Sequence, residues 1–382
     1  MIREVFTMKQ LTLNSAIHQY PTCKEFVQDF DINDSDLIIT CQYIFEPYFK
    51  EYFEKNNIKA QLIFQEQFGA GEPNDDMVNS MINAIRPDYD RIIGIGGGTV
   101  LDISKLFALK HMTPLSDLFL GKITPEKKCR LILIPTTCGT GSEVTNVAIL
   151  GFNTLNTKLR LANDALYADD AILIPELINK LPLQFFATSS IDALIHGIES
   201  SLSPLATEYS KLFGHKAIKL IIECYRIIEA KGIDARQELL NKFLLASNYA
   251  GIAFGKAGCG AVHAMSYPLS GKYHVAHGEA NYVLLTSVLK KYSEKDCSNN
   301  YTETINVLAE ALNCPTDNVV TELDKLLSVI LKKQPMSHYG ASADDLNEFT
   351  DNVLNYQQVI MSHNPTVLSR EDVMDIYADA LA

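Results

Sequence analysis

Short apolar runs separated by polar, helix-periodic segments fill the first half of the chain. Six runs read as strands: DLIIT (36–40), AQLIF (60–64), RIIGIG (91–96), RLILIP (130–135), NVAILG (146–151) and DAILIP (170–175). Between several of them apolar residues recur at helical spacing, notably over 75–85 and 101–110. Apolar strands that alternate with helices predict a parallel sheet covered on both faces. After Pro182 the strand-like runs stop, and helical patterns follow over 186–201, 205–230, 235–255, 279–292, 302–312, 317–333, 342–360 and 369–381. Ser342 with Asp345 and Ser369 with Asp372 supply capping signals for two of these segments. The pattern predicts an α/β domain over 1–185 followed by an all-helical domain over 186–382.

Composition adds constraints. A chain of 382 residues suits two domains, and 47% hydrophobic with 21% charged residues is the composition of a folded protein. The net charge of −13 argues against nucleic acid or an anionic membrane as partner. A small anionic cofactor is unaffected by that total, because local groups bind it. The eight cysteines form no C-x-x-C pair, a reduced cytosolic pattern and not a disulfide framework or zinc knuckle. The opening MIREVFTMKQ lacks an apolar signal region and no stretch approaches a membrane span, so a cytoplasmic protein is expected.

Four segments carry candidate chemistry. RIIGIGGGTVLDISK places Gly94, Gly96, Gly97 and Gly98 between a strand and a helix expected near Val100. Bare backbone amides at a helix start suit a phosphate, although the pattern is neither G-x-G-x-x-G nor a P-loop. PTTCGTGSEVT (135–145) again ends a strand, with hydroxyls interleaved with Gly139 and Gly141. Ligands of open α/β sheets bind outside the carboxyl ends of the strands, so two such loops point to a nucleotide. In IDALIHGIES (191–200), Asp192, His196 and Glu199 share one side of a helix opposite Ile191, Leu194, Ile195 and Ile198. Alone, that is an ordinary solvated face with an i,i+4 pair. AVHAMSYPLSGKYHVAHGEANY adds His263, His274 and His277, with His263 and Tyr267 on a short helix that Pro268 is expected to end. One carboxylate and three imidazoles suit Fe(II) or Zn(II).

The order and wording of these segments resemble the iron-containing (group III) alcohol dehydrogenases. GGGTVLDISK is similar to that family's GGGSxxDxAK, PTTCGTGSEVT to its PTTxGTGSEVT, and DALIHGIE to its DALxHxxE. The resemblance implies a dinucleotide-binding α/β domain followed by a helical metal domain. It implies metal ligation by Asp192, His196, His263 and His277. It implies a pyrophosphate cradle of Gly96, Gly97, Gly98 and Thr99, with NAD contacts from Asp102, Thr136, Thr137, Thr140 and Lys158. The implied chemistry is hydride transfer between nicotinamide and a primary alcohol or aldehyde, with Fe(II) favoured over Zn(II) by the resemblance alone. Family members commonly form homo-oligomers.

Three positions depart from the pattern. Cys41 stands where an acidic residue commonly accepts hydrogen bonds from the adenosine ribose, which leaves NAD and NADP both open. Tyr267 stands where many members carry a proton-relaying histidine. Glu72 replaces a common Asn. HAMSYPLSGKYHVAHGEANY, with PTCKEFV (21–27), looks closest to the 4-hydroxybutyrate dehydrogenase branch, which acts on 4-hydroxybutyrate and succinate semialdehyde. An ω-hydroxy acid needs a cation some way from the metal, and Lys272 and His274 are the nearest candidates in sequence. A solvent-exposed loop lysine is the competing reading of Lys272. Uncharged alcohols or diols are the alternative substrates. A dehydroquinate-synthase-like lyase would need a basic cluster that is not evident here.

Overall fold

The computed structural model describes residues 11–153 and 157–382, with the side chain of residue 157 outside the description. The reading of the first ten residues as free of a signal region therefore lies outside the described residues. Among the described residues there are eight strands: β1 (Ala16–Gln19), β2 (Asp36–Thr40), β3 (Gln61–Phe64), β4 (Arg91–Gly96), β5 (Arg130–Pro135), β6 (Val147–Phe152), β7 (Thr157–Ala162) and β8 (Asp170–Leu173). Six of them form one all-parallel sheet in the order β1-β8-β5-β4-β2-β3. Its centre is apolar because both faces are covered: Ile38 pairs with Ile93, Ile93 with Ile132, and all three are buried. Each such side chain contributes roughly 1.5–3 kcal/mol on burial. At the start of β4, Arg91 donates from Nε and Nη2 to the two carboxylate oxygens of Asp36, each at 2.7 Å. Charge is thereby tied at the amino ends of the strands, and the carboxyl ends are left for ligand.

The helices that cover the sheet are α1 (Cys23–Asp29), α2 (Gln42–Tyr48), α3 (Lys50–Asn56), α4 (Asp75–Ala84), α5 (Gly98–Phe107) and α6 (Leu115–Phe119). The later part is helical: α7 (Leu183–Leu202), α8 (Glu208–Lys231), α9 (Leu240–Ala257), α10 (Ala261–Tyr273), α11 (His277–Ser293), α12 (Asn299–Leu312), α13 (Val319–Ile330), α14 (Asp345–Tyr356), α15 (Gln358–Met361) and α16 (Arg370–Leu381). Helix α7 is the hub, buried from Phe186 to Leu202 apart from Ser189, and packed on α8, α9 and α11. Ser369 and Asp372 form the expected capping box of α16. Asp345 accepts from the Ser342 N–H at 2.6 Å, but α14 starts three residues later than Ser342.

Three local expectations differ from the structure. The NVAILG run does not join the parallel sheet: as β6 it pairs antiparallel with β7, register Ile149 to Arg160, in a separate hairpin. The reason is legible in TKLRLA (157–162), whose alternating polar and apolar residues suit a half-covered hairpin strand. Pro268 does not end its helix, since α10 runs through it to Tyr273. Proline removes one backbone donor there, and burial of Leu269 and Ser270 holds the last turn in place. The third is α5, which begins at Gly98, two residues before Val100. Among the described residues no helix is long and apolar enough to cross a membrane.

Candidate active site

Helix α7 brings Asp192 and His196 inward side by side, α10 supplies His263 near its start, and α11 begins with His277. The solvated-face reading of the α7 pair fails, since Asp192, His196 and Glu199 are all buried. Gly278 is what lets α11 approach: a Cβ there would stand 2.5 Å from the Thr188 carbonyl oxygen on α7. His263 Nε2 lies 3.7 Å from Asp192 Oδ1, and His277 Nε2 lies 3.9 Å from the same oxygen. His196 Nδ1 is 3.9 Å from Asp192 Oδ2, and the His196 and His263 rings stack at 4.6 Å. The ligand atoms of Asp192, His263 and His277 all fall within 4.8 Å of one another.

The surrounding residues set the ring orientations. Glu199 Oε2 accepts a hydrogen bond from His263 Nδ1 at 2.6 Å, while its Oε1 accepts from the Val262 N–H at 2.6 Å. The Gly139 carbonyl faces His196 Nδ1 at 3.3 Å. Both rings thus turn Nδ1 to an acceptor and Nε2 toward each other, and the two Nε2 atoms stand 3.0 Å apart. Burial opposes charge on both rings, but Asp192 beside His196 and Cys259 with Glu199 beside His263 raise them, so the two nitrogens share either a proton or, in its place, a divalent cation. The donor set fits one: three imidazoles and a carboxylate, with Asn281 donating to Asp192 Oδ1 at 2.8 Å. Phe254 stacks on His196 at 4.2 Å and closes that side. Burial works against the Asp192 charge, but the three imidazoles and Asn281 outweigh it and hold the carboxyl below its usual range. Burial, helped by the neighbouring His263 and His196 and opposed by Asp192, pushes His277 down to about 4, so it is a neutral donor.

Sequence reasoning missed two participants here. Glu199 was placed on the right side of its helix without a partner, because the partner lies on another helix. Cys259 sits four residues before His263, and its thiol shares a second 4.8 Å grouping with His196 and His263. Burial would raise that thiol, but the two imidazoles bring it down to about 7.

On the sheet side, the first intrahelical bond of α5 runs from the Leu101 N–H to the Gly97 carbonyl at 3.1 Å. The amides of Gly98, Thr99 and Val100 have no helical partner, and among the described residues the N-cap position offers them no side-chain hydrogen bond. A Cβ on Gly96 would stand 2.5 Å from Val100 Cβ, so that turn admits only glycine without a shift. Thr99 Oγ1 donates to the Gly71 carbonyl at 3.1 Å. Thr136 and Thr140 lie in the loop after β5, where the Thr136 N–H bonds the Gly96 carbonyl at 3.0 Å and Thr140 Oγ1 accepts from the Ser142 N–H at 3.3 Å. Thr137 faces Gly97, whose added Cβ would meet its Cγ2 at 3.5 Å. Gly139 and Gly141 serve another purpose: a Cβ on either would strike backbone, at Ser189 of α7 (2.7 Å) and Gly251 of α9 (2.4 Å). The second loop is therefore also the seam where sheet and helices meet.

Asp102 is a cross-link in this seam. Its Oδ1 accepts from Ser142 Oγ at 2.6 Å and its Oδ2 from the Ile149 N–H at 3.0 Å. Lys105, wholly buried, donates to Ser142 Oγ, Thr145 Oγ1 and the Val147 carbonyl, and burial lowers its pKa. Lys158 on β7 is paired with Glu72.

The expected substrate anchors are placed differently. The Lys272 ammonium lies 2.8 Å from Asp345 and is also bonded to Glu348, both on α14. A substrate carboxylate would have to displace two protein carboxylates. His274 is exposed and closes α10 in a left-handed conformation, φ 55°. Tyr267 is near the cluster, its ring 6.4 Å from that of His277. Burial pushes its phenol up to about 12; His263 and Arg160 oppose the shift, while Cys259 and Glu199 reinforce it.

The profile of the iron-containing alcohol dehydrogenases matches residues 19–175, and that of the Fe-containing alcohol dehydrogenase family, C-terminal part, matches residues 186–381. The chain is 43% identical over 371 residues to the 4-hydroxybutyrate dehydrogenase of Clostridium kluyveri, covering 97% of this chain and 99% of that one. It is 35% identical to long-chain-alcohol dehydrogenase 1 of Geobacillus thermodenitrificans over 77% of this chain and 75% of that one. In three dimensions it resembles the sulfoacetaldehyde reductase of Bifidobacterium kashiwanohense, solved with NAD+, at a TM-score of 0.82 and 21% identity, over 98% of this chain and 99% of that one.

Proposed function

The chain belongs to the iron-containing alcohol dehydrogenase family, and from that premise we propose that it interconverts 4-hydroxybutyrate and succinate semialdehyde with NAD. The observation that carries this reading is likeness along nearly the full chain, 43% identity over 97% of it, to a 4-hydroxybutyrate dehydrogenase. Asp192, His196, His263 and His277 would hold the divalent cation; the family favours Fe(II), and Zn(II) satisfies the same donors. When bound, the cation supplies Lewis-acid polarisation of the substrate oxygen, and NAD supplies the hydride carrier.

The remaining work falls to side chains and amides of the chain. The free amides at the start of α5 bind the pyrophosphate, with Gly96, Gly97, Gly98 and Thr99 leaving room for it. Thr136, Thr137 and Thr140 follow the carboxyl end of β5 beside them, Lys158 stands on the β6–β7 hairpin paired with Glu72, and Asp102 holds the two loops in register. Positioning of the two reactants across the seam supplies much of the rate. Glu199 and Asn281 fix the His263 and Asp192 donors in place. Tyr267 keeps its proton at Oη at neutral pH, so it serves as a hydrogen-bond donor or relay and not as a base. At the end of β2 the acidic residue is missing at Cys41, but the Glu66 carboxylate accepts from the Gln42 N–H at 2.6 Å. Negative charge at that strand end supports NAD over the 2′-phosphorylated NADP. The eight free thiols support a reducing compartment, the cytoplasm, and a homo-oligomer is part of the same proposal.

The test is an anaerobic assay of Fe(II)-loaded protein, following NADH absorbance with 4-hydroxybutyrate, butanol and 1,3-propanediol, each with NAD and NADP. Selective turnover of 4-hydroxybutyrate with NAD is expected. Preference for the uncharged alcohols would overturn the substrate and keep the metal site. Absence of turnover by metal-loaded, NAD-binding protein would overturn the reaction itself.

A further inference from the structure

A four-carbon hydroxy acid brings a carboxylate into the cleft, and that charge needs a cation not already bonded to an acid. The cations around the site divide clearly on this criterion. Lys105 is enclosed and saturated by Ser142, Thr145 and the Val147 carbonyl. Lys272 is held by Asp345 and Glu348. Lys158 is paired with Glu72.

Arg160 is different. It lies in the middle of β7 opposite Ile149, on the same face as Lys158 because strand side chains alternate. It is exposed, and among the described residues no hydrogen bond or ion pair engages its guanidinium. Two separate links tie this hairpin to the cofactor loops. Ile149, which faces Arg160 across the ladder, donates its N–H to Asp102 Oδ2 at 3.0 Å. Glu72, bonded to Lys158 two residues along the strand from Arg160, follows Gly71, whose carbonyl accepts from Thr99 Oγ1 at the amide cradle at 3.1 Å.

We propose that Arg160 binds the substrate carboxylate, so that the hairpin β6–β7 selects an ω-hydroxy acid while its hydroxyl or aldehyde end sits at the Asp192, His263 and His277 cluster. A guanidinium suits this task because its planar fork accepts a carboxylate through two parallel hydrogen bonds. The assignment rests on the 4-hydroxybutyrate reading above and sharpens it to one residue. No sequence feature pointed to it, because the strand that carries it was not foreseen.

The test compares wild-type protein with Arg160→Ala and Arg160→Lys, all Fe(II)-loaded, on 4-hydroxybutyrate and on butanol, with NADH affinity measured in parallel by fluorescence. Arg160→Ala is expected to raise KM for 4-hydroxybutyrate about 10- to 100-fold, the range for one charge-assisted contact. Its kcat/KM for butanol and its NADH affinity should stay near wild type, and Arg160→Lys should recover part of the loss. An unchanged preference for 4-hydroxybutyrate, or a loss confined to NADH binding, overturns the proposal. A wild-type enzyme that ignores 4-hydroxybutyrate overturns the substrate reading instead, before any variant is made. Should Arg160→Ala fail to bind NADH and metal together, Arg160→Gln keeps the stem and is read in the same way.

Discussion

The two walls of the active cleft are made of different material. On the sheet side, recognition rests on backbone: unpaired amides after β4, and glycines whose missing Cβ atoms make room. On the helical side it rests on ionisable side chains drawn from α7, α10 and α11, buried at Asp192, His196 and His263 and half-buried at His277, each oriented by a second residue. Buried charge is costly unless paired, so every member of the helical cluster has a fixed partner. Backbone amides need no such support, so the cradle at the start of α5 tolerates changes of side chain and fails where space is lost. The difference teaches where each wall breaks: removal of a group on one, addition of a group on the other.

The largest effect should come from the helical wall. His263→Ala removes one donor and leaves Glu199 without its ring partner. Catalytic efficiency should fall about 10³-fold or more, since cation polarisation is worth several kcal/mol. Metal content measured by mass spectrometry should fall with it, while NADH binding survives. Retention of both metal and activity would break the comparison.

A smaller loss should follow from the second residue. Glu199→Gln keeps the shape but weakens the hold on His263 Nδ1, and a ten- to hundredfold loss of metal affinity, roughly, is expected. Competition with a chelator would measure it. Gly98→Ala probes the other wall, because its Cβ would stand 3.1 Å from Thr140 Cγ2 at the amide cradle. NADH should bind about tenfold more weakly, or roughly 1.4 kcal/mol. Metal content should be unchanged, which separates the walls. The smallest effect is expected at Lys272→Ala. Its ammonium belongs to Asp345 and Glu348, so KM for 4-hydroxybutyrate should stay within about twofold, as for other exposed ion pairs. A large rise in KM would return the anchor to α10.

The same contrast explains what could be read from the chain. The helical ligands were legible because Asp192 and His196 are one turn apart, and His263 and His277 fall in one short segment that also holds His274. The glycine cradle was legible because consecutive glycines after an apolar strand have few other uses. What pairs across elements was not legible. Glu199 looked like part of a solvated helix face until α10 brought His263 to it. Gly139 and Gly141 read as phosphate loop, but they also admit α7 and α9 at backbone contact. The β6–β7 hairpin was mistaken for sheet because six apolar residues in a row fit either setting. Its alternating partner TKLRLA carried the correction. Pro268 misled because helix-breaking is a local rule, and tertiary burial of the following turn overrode it.

The most direct measurement is X-ray absorption at the iron edge of anaerobically Fe(II)-loaded protein. Two donor groupings meet at His263, one with Asp192 and His277, the other with His196 and Cys259. The account predicts a shell of light donors only, with the outer scattering of several imidazoles, unchanged in Cys259→Ser. A sulfur scatterer near about 2.3 Å, lost in that variant, would contradict it and move the cation to the thiol.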